Sequence, residues 1–324
     1  MTSIITNTGA MVALKTLRDV TTHLEVTQER MASGLRVGQS SQNAAYWSIA
    51  TTMRSDDKAL SAVQDAMNLG AATADTAYAG LDSSIDVVDE IKSKLIAARQ
   101  PGVDKEKVNK EITQLKQQLV SITDAASFNG VNWLKISDGS DTTAKVAASF
   151  YRNIDRSVFM ETITLDLVSS DGTVTALVDN RSTSTNGGAG IFTSTQFATN
   201  VGAANNYVLI ANQSNTSASA IEIGIGKNTT DSQLDDMISV VDDMLQMMAD
   251  AGANIGSVQS RVDLQLDYVS KLRDWMKGGI STLVDADMDE EATRLKALTT
   301  QQQLATQALS IANNSQQNIL SLFR

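Results

Sequence analysis

Apolar and small residues recur at steps of three and four from Leu60 to Ala98 without a slip: Leu60, Val63, Met67, Gly70, Ala74, Ala77, Leu81, Ser84, Val88, Ile91, Leu95 and Ala98. An α-helix of about 3.6 residues per turn brings such a set onto one face. Val108, Ile112, Leu115, Leu119, Ile122 and Ala126 repeat the pattern. So do Leu234, Ile238, Val241, Leu245, Met248, Gly252, Ile255, Gln259, Val262, Leu266 and Val269. Heptads this long predict long helices packed side by side, and the first alone would reach roughly 58 Å at 1.5 Å per residue. The predicted fold is mainly α: long antiparallel helices from both termini form a coiled-coil or helical bundle, with a small β-rich outer domain inserted between them. A rod with a knob points to assembly rather than to an active site.

The chain of 324 residues carries one proline, Pro101, and no cysteine. Scarce proline suits long helices, and the lack of cysteine excludes disulfide frameworks and thiolate metal sites. With 37 acidic against 26 basic residues the net charge is -11, which disfavours nucleic acid and anionic membrane as partners. No apolar run approaches the roughly 18 residues of a membrane span. The polar start, Met1 to Ala10, does not resemble a cleaved signal peptide, so any route out of the cell is expected to be unconventional.

Along the chain, a weaker heptad (Ala10, Ala13, Leu17, Val20, Leu24, Thr27, Met31) precedes a break bracketed by Gly34 and Gly38. Helix is expected from near Tyr46 to about Arg99, then a turn at Gln100-Pro101-Gly102. A third helix, capped by Asp104, ends before the Asn129-Gly130 turn. Ile163, Leu165 and Leu167, then Val174, Ala176 and Val178, alternate about Asp171-Gly172 and read as a β-hairpin. Asn186-Gly187-Gly188 reads as another turn, and Tyr207 to Ala211 and Ile221 to Ile225 as strands. Helix returns near Asp231 and is expected to break at Gly278-Gly279. A last helix starts near Asp287 and carries Leu295, Leu298, Gln302, Ala305, Leu309, Ala312, Gln316, Ile319 and Phe323. The domain reading is therefore 1–40 with 285–324 as a terminal coiled-coil core, 41–136 with 230–284 as a long-helix bundle, and 137–229 as a variable β-rich surface domain.

Chemistry-bearing motifs are scarce. A lone histidine, His23, without cysteine argues against zinc or a histidine-based triad. Asp285, Asp287, Asp289, Glu290 and Glu291 lack EF-hand order and read as acids at a helix N-terminus. Ile223-Gly224-Ile225-Gly226 lacks the third glycine of a dinucleotide loop. The expectation is no catalytic residue, no metal and no cofactor. The terminal arms have thin stripes: the first has only Leu17, Val20, Leu24 and Met31 as large apolar members, and small or polar residues fill much of the second. Both arms are expected to be mobile in the free monomer and to order on each other and on neighbouring copies. Their seam is read as Leu17, Val20, Leu24, Met31, Leu298, Ala305, Leu309, Ala312, Ile319 and Phe323.

Several segments resemble bacterial flagellins. Glu29-Arg30-Met31-Ala32-Ser33-Gly34-Leu35-Arg36-Val37 is similar to the family's "ERLSSGLRI", and Ser127-Phe128-Asn129-Gly130-Val131 to its "TxFNG" turn. Asp285-Ala286-Asp287 matches its "DAD" element. Gln302-Gln303, Ala312-Asn313 and Gln317-Asn318-Ile319-Leu320-Ser321-Leu322-Phe323-Arg324 resemble its C-terminal "QQ…AN…QNVLSLLR". The resemblance covers about the first 136 and last 95 residues, with the middle unmatched.

The resemblance implies a structural subunit that self-assembles into the extracellular flagellar filament for swimming. It also implies type III export with a secretion chaperone, and junction and cap proteins as further partners, with neither nucleic acid nor membrane. The alternatives are a hook-filament junction protein of the same superfamily or a secreted coiled-coil effector. Two segments depart from the pattern that innate receptors read in other flagellins. Gln42 and Asn43 replace an Asp pair, and Tyr46 and Trp47 replace Gly and Leu. Glu90 and Ser93 stand where the family has Arg and Glu. The Asn43 to Trp47 version resembles flagellins of plant-associated alphaproteobacteria.

Overall fold

A computed structural model describes residues 6–137, 142–155, 157–168, 174–181, 189–211 and 220–322, with side chains to 314 in the last helix. The elements are α1 (Thr8–Ser33), α2 (Ala44–Ala97), α3 (Lys105–Ala125), β1 (Ser127–Phe128), β2 (Val131–Asn132), β3 (Lys135–Ile136), β4 (Thr143–Arg152), β5 (Val158–Asp166), β6 (Val178–Asp179), α4 (Gln196–Asn200), β7 (Asn206–Val208), β8 (Ala220–Glu222), α5 (Asp231–Val284) and α6 (Met288–Leu322). The chain is mainly α with a small strand-containing middle, the expected class. Contacts divide it into two units, Met1–Lys58 with Leu272–Arg324 and Ala59–Lys271, and α2 and α5 each contribute residues to both.

The long stripes form the core of the second unit. Each α2 position from Leu60 to Leu95 is buried except Gly70, as are Leu234, Val241, Met248, Ile255, Val262 and Val269 on α5. Met237 and Met244 join that core, as flexible apolar fillers do. Small residues in the α2 stripe admit other elements. A Cβ on Gly70 would lie 2.3 Å from Val146 Cγ1, and one on Gly80 would lie 2.6 Å from Ala126 Cβ. The β4–β5 hairpin and the segment after α3 therefore press directly against α2. Further ties come from α3. Lys116 Nζ donates to Glu222 Oε1 and Ile223 O, Asn109 Oδ1 accepts from Ile225 N, and Lys105 Nζ donates to Thr229 O.

The local signals act as expected at several ends. Asp104 caps α3 by accepting from Glu106 N, and Asn129 (φ 50) with Gly130 (φ 81) turns β1 into β2. Two expectations fail. The hairpin is not Ile163–Leu167 with Val174–Val178. β5 pairs antiparallel with β4, Val146 opposite Ile163 and Tyr151 opposite Phe159, while β6 runs parallel to β3. Of the expected pairing, the described residues keep the Val168–Val174 bridge and the bonds from Thr175 N and Ala176 N to Leu167 O. Alternation marks a half-buried strand but does not name its partner. Asp171-Gly172 and Asn186-Gly187-Gly188 lie outside the described residues.

The second failure is at Gly278-Gly279, through which α5 continues to Val284. Glycine costs a helix only about 1 kcal/mol. Beyond the pair, Val284 is buried with Val37 and Ala50, and Ile280 and Leu283 pack on that cluster. The helix stops at Asp285, where the backbone pairs with Leu35 instead.

Candidate assembly surfaces

The first unit is organised by the pairing of α1 with α6. Asn7 starts α1: its Oδ1 accepts from Ala10 N while its Nδ2 donates to Ala312 O at 3.0 Å, so one side chain both caps a helix and ties it to the other arm. Gly34 ends α1 in the left-handed conformation, φ 70, which a side chain would strain. Its carbonyl accepts from Ala286 N, and Val284 O accepts from Arg36 N and Val37 N. Asp287 begins α6 by accepting from Asp289 N and Glu290 N, the expected role of that acidic cluster. Its neighbour Glu291 does something the sequence did not signal. It is buried, and its Oε1 accepts from Arg30 Nη1 at 3.0 Å and Arg294 Nη1 at 3.4 Å.

Of the expected seam, Val20, Leu24 and Ala305 are buried, and Leu17, Met31, Leu298, Leu309 and Ala312 are half-buried. The Ile319 side chain and Phe323 lie outside the described residues. His23 points to solvent. The periodicity missed a second apolar set, Met11, Val12, Leu14, Leu304 and Ile311, all exposed on the same two helices. These residues fall between the stripe positions, so a search for one face passes over them.

The altered segments have local jobs. Asn43 Oδ1 accepts from Tyr46 N and caps α2, and Gln42 Oε1 accepts from Gly38 N and Gln39 N. Tyr46, Trp47 and Ile49 are exposed. Glu90 pairs with Lys94 at 3.3 Å, and Lys94 also meets Glu111 at 2.9 Å. Hydrogen bonds from Lys94 to Glu111 and then Glu90 raise its pKa above the ordinary lysine value. Ser93 is exposed beside them. Among the described residues no helix is long and apolar enough to cross a membrane.

Long paired helices from the two ends of the chain and a small strand-containing middle define a mainly helical class of protein. Residues 4–139 match the bacterial flagellin N-terminal helical region and residues 238–323 the bacterial flagellin C-terminal helical region. The chain is similar to Flagellin C of Rhizobium meliloti (strain 1021), 49% identical over the whole of both chains. It is also similar to Flagellin A of Rhizobium meliloti at 45%, and to a flagellin of Brucella melitensis biotype 1 at 39%, again over both full lengths. This chain belongs to the bacterial flagellin family. It is a structural subunit of the extracellular flagellar filament, which self-assembles for swimming motility.

Proposed function

We propose that α1 and α6 are the polymerising arms, and that the seam from Leu17 to Met31 and from Leu298 to Phe323 closes within a subunit while their outer faces meet neighbouring copies. The observation that carries this reading is the exposure of Met11, Val12, Leu14, Leu304 and Ile311 on helices whose seam side is buried or half-buried. Apolar side chains clustered on both arms favour burial in an assembly. A carboxylate at Leu309 would sit unpaired in the seam and cost several kcal/mol per copy. Leu309→Asp is tested by seeding purified monomer with filament fragments. Normal filaments at neutral pH would contradict the seam.

The domain scheme follows the same reading: 1–40 with 285–324 as the inner core, 41–136 with 230–284 as a surrounding bundle, and 137–229 as the outer part, with the β4–β5 hairpin fastened to the bundle through Val146 and Gly70. The partners are further copies, the export apparatus with its chaperone, and junction and cap proteins. No catalytic role is assigned, in keeping with a structural family. Glu90 and Ser93, with Gln42, Asn43, Tyr46 and Trp47, make the monomer a weak ligand for innate flagellin receptors. Reversing one charge-assisted contact can cost about 2–5 kcal/mol. Dose-response assays against a flagellin carrying the common motifs test this, and equal potency refutes it.

A further inference from the structure

The inner half of the β4–β5 hairpin is buried through Ala144, Val146, Ala148, Ile163 and Leu165. Past the irregularity between Ala147 and Ser149 the strands stay paired out to Arg152 opposite Val158, yet they leave the core. Tyr151, Val158, Phe159 and Met160 are exposed, and Ile154 at the tip is fully so. The rings of Tyr151 and Phe159 stack with centroids 5.7 Å apart and planes at 20°. Asn153 N donates to Ser157 O, and Ser157 N and Oγ both donate to Asp155 Oδ1, so the turn is held. Single exposed apolar residues are ordinary, but a contiguous ordered cluster of this size marks a contact surface.

We propose that this overhanging end is a finger that seats in a groove between α2 and α5 of a second copy of the chain. The proposal rests on the filament reading above. The groove encloses about 360 Å³ and is lined by Tyr78, Leu81, Ile85, Gly252, Ala253 and Gly256. The α5 wall is Ala249, Gly252, Ala253 and Gly256 with Gln259, mostly small side chains that leave room for two stacked rings. In sequence, positions 152–156 carry two arginines and one aspartate on a chain of net charge -11, and opposite charges favour seating against acids. The groove carries Asp82 at its edge, and Asp75 and Asp86 are exposed on the same stretch of α2. In the filament the finger of one copy enters the groove of the next, a heterologous contact that repeats along an open helical polymer.

The chain has no cysteine, so single thiols report the contact cleanly. Chains carrying Ile154→Cys and chains carrying Ala253→Cys are mixed, polymerised and oxidised mildly. A disulfide forms only where Cα atoms approach within about 7 Å. The expected result is a 154–253 cross-linked dimer in mixed polymer and none in unpolymerised mixture or in polymer of either chain alone. Filaments that form but give no such dimer, or give as much when Ile96→Cys replaces Ala253→Cys, overturn the finger and leave the filament reading standing. Failure of the unaltered chain to polymerise overturns both. Independently, the Tyr151→Ser, Phe159→Ser double variant should raise the critical concentration for growth at least about tenfold, as loss of aromatic anchors does. An unchanged critical concentration, with the monomer's circular dichroism intact, overturns the finger.

Discussion

Arg30 near the end of α1 and Glu291 in the first turn of α6 are 261 residues apart in the chain and 3.0 Å apart in the fold, Nη1 to Oε1. Arg30 Nε and Glu291 Oε2 are buried and make no hydrogen bond, so the pair is single-stranded rather than a two-pronged fork. A buried charge that loses its partner is costly, commonly about 3–5 kcal/mol. Arg294 remains beside Glu291 when Arg30 is removed, whereas among the described residues Glu291 alone is ion-paired with Arg30. Glu291→Ala should therefore open the α1–α6 pairing more than Arg30→Ala. Hydrogen exchange of the α1 and α6 amides in the monomer measures both, and the reverse order would show that Arg294 does not compensate.

Trypsin should cut the monomer at Arg18, Arg36, Arg294 and Lys296 and spare the same sites in polymer. All four are exposed on or beside the arms in the single chain. Digestion followed by mass spectrometry of both states checks this. Equal resistance in the monomer would mean that the α1–α6 pair is stable without neighbours.

Asp179 ties Arg181 to Ala189. Its Oδ1 accepts from Arg181 N and Nε, and its Oδ2 accepts from Arg181 Nη2 and Ala189 N. Burial alone would raise its pKa, but the hydrogen bonds from Arg181 and Ala189 and the guanidinium charge outweigh burial and hold it below the ordinary aspartate value. A carboxylate with a depressed folded pKa stabilises fully above its unfolded pKa, about 3.9. That contribution is lost as pH falls through the lower folded value. Amides of residues 189–193 should therefore exchange faster, relative to intrinsic rates, below about pH 4 than at pH 6. Asp179→Asn should abolish that pH dependence and weaken protection by about 1–3 kcal/mol.

Two glycines in long helices should respond oppositely to alanine. At Gly278 an added Cβ meets nothing within 4 Å, so Gly278→Ala should stabilise by about 1 kcal/mol through helix propensity. At Gly70 the Cβ would collide with Val146 Cγ1 at 2.3 Å, and a stiff β-branched side chain yields little. Gly70→Ala should destabilise by about 1–3 kcal/mol, and by less in a Val146→Ala background. Urea unfolding of the four chains gives the coupling. A stabilised Gly70→Ala would mean that the hairpin lifts off α2 freely.

The three-four stripe by itself determined the helices, because burial of one face along a helix depends only on residues a turn apart. Leu60 to Leu95 on α2 and Leu234 to Val269 on α5 were legible for that reason. So were the Asp104 cap and the Asn129-Gly130 turn, where one or two residues supply the hydrogen bond or the positive φ. Partners across long separations were not legible. Alternation in Ile163 and Leu165 fixed a strand but not its pairing with Val146, and two glycines at 278 and 279 could not announce the apolar cluster beyond them. Arg30 and Glu291 stood in the sequence as a loop-proximal cation and one acid among several. Only the tertiary structure decided that they meet in a buried site, because charge pairing falls off with distance in space and carries no periodic trace along the chain. The stacked end of the hairpin was hidden for the complementary reason. Tyr151 and Phe159 look like core residues in sequence, and it takes the packed fold to show that the core ends before they begin.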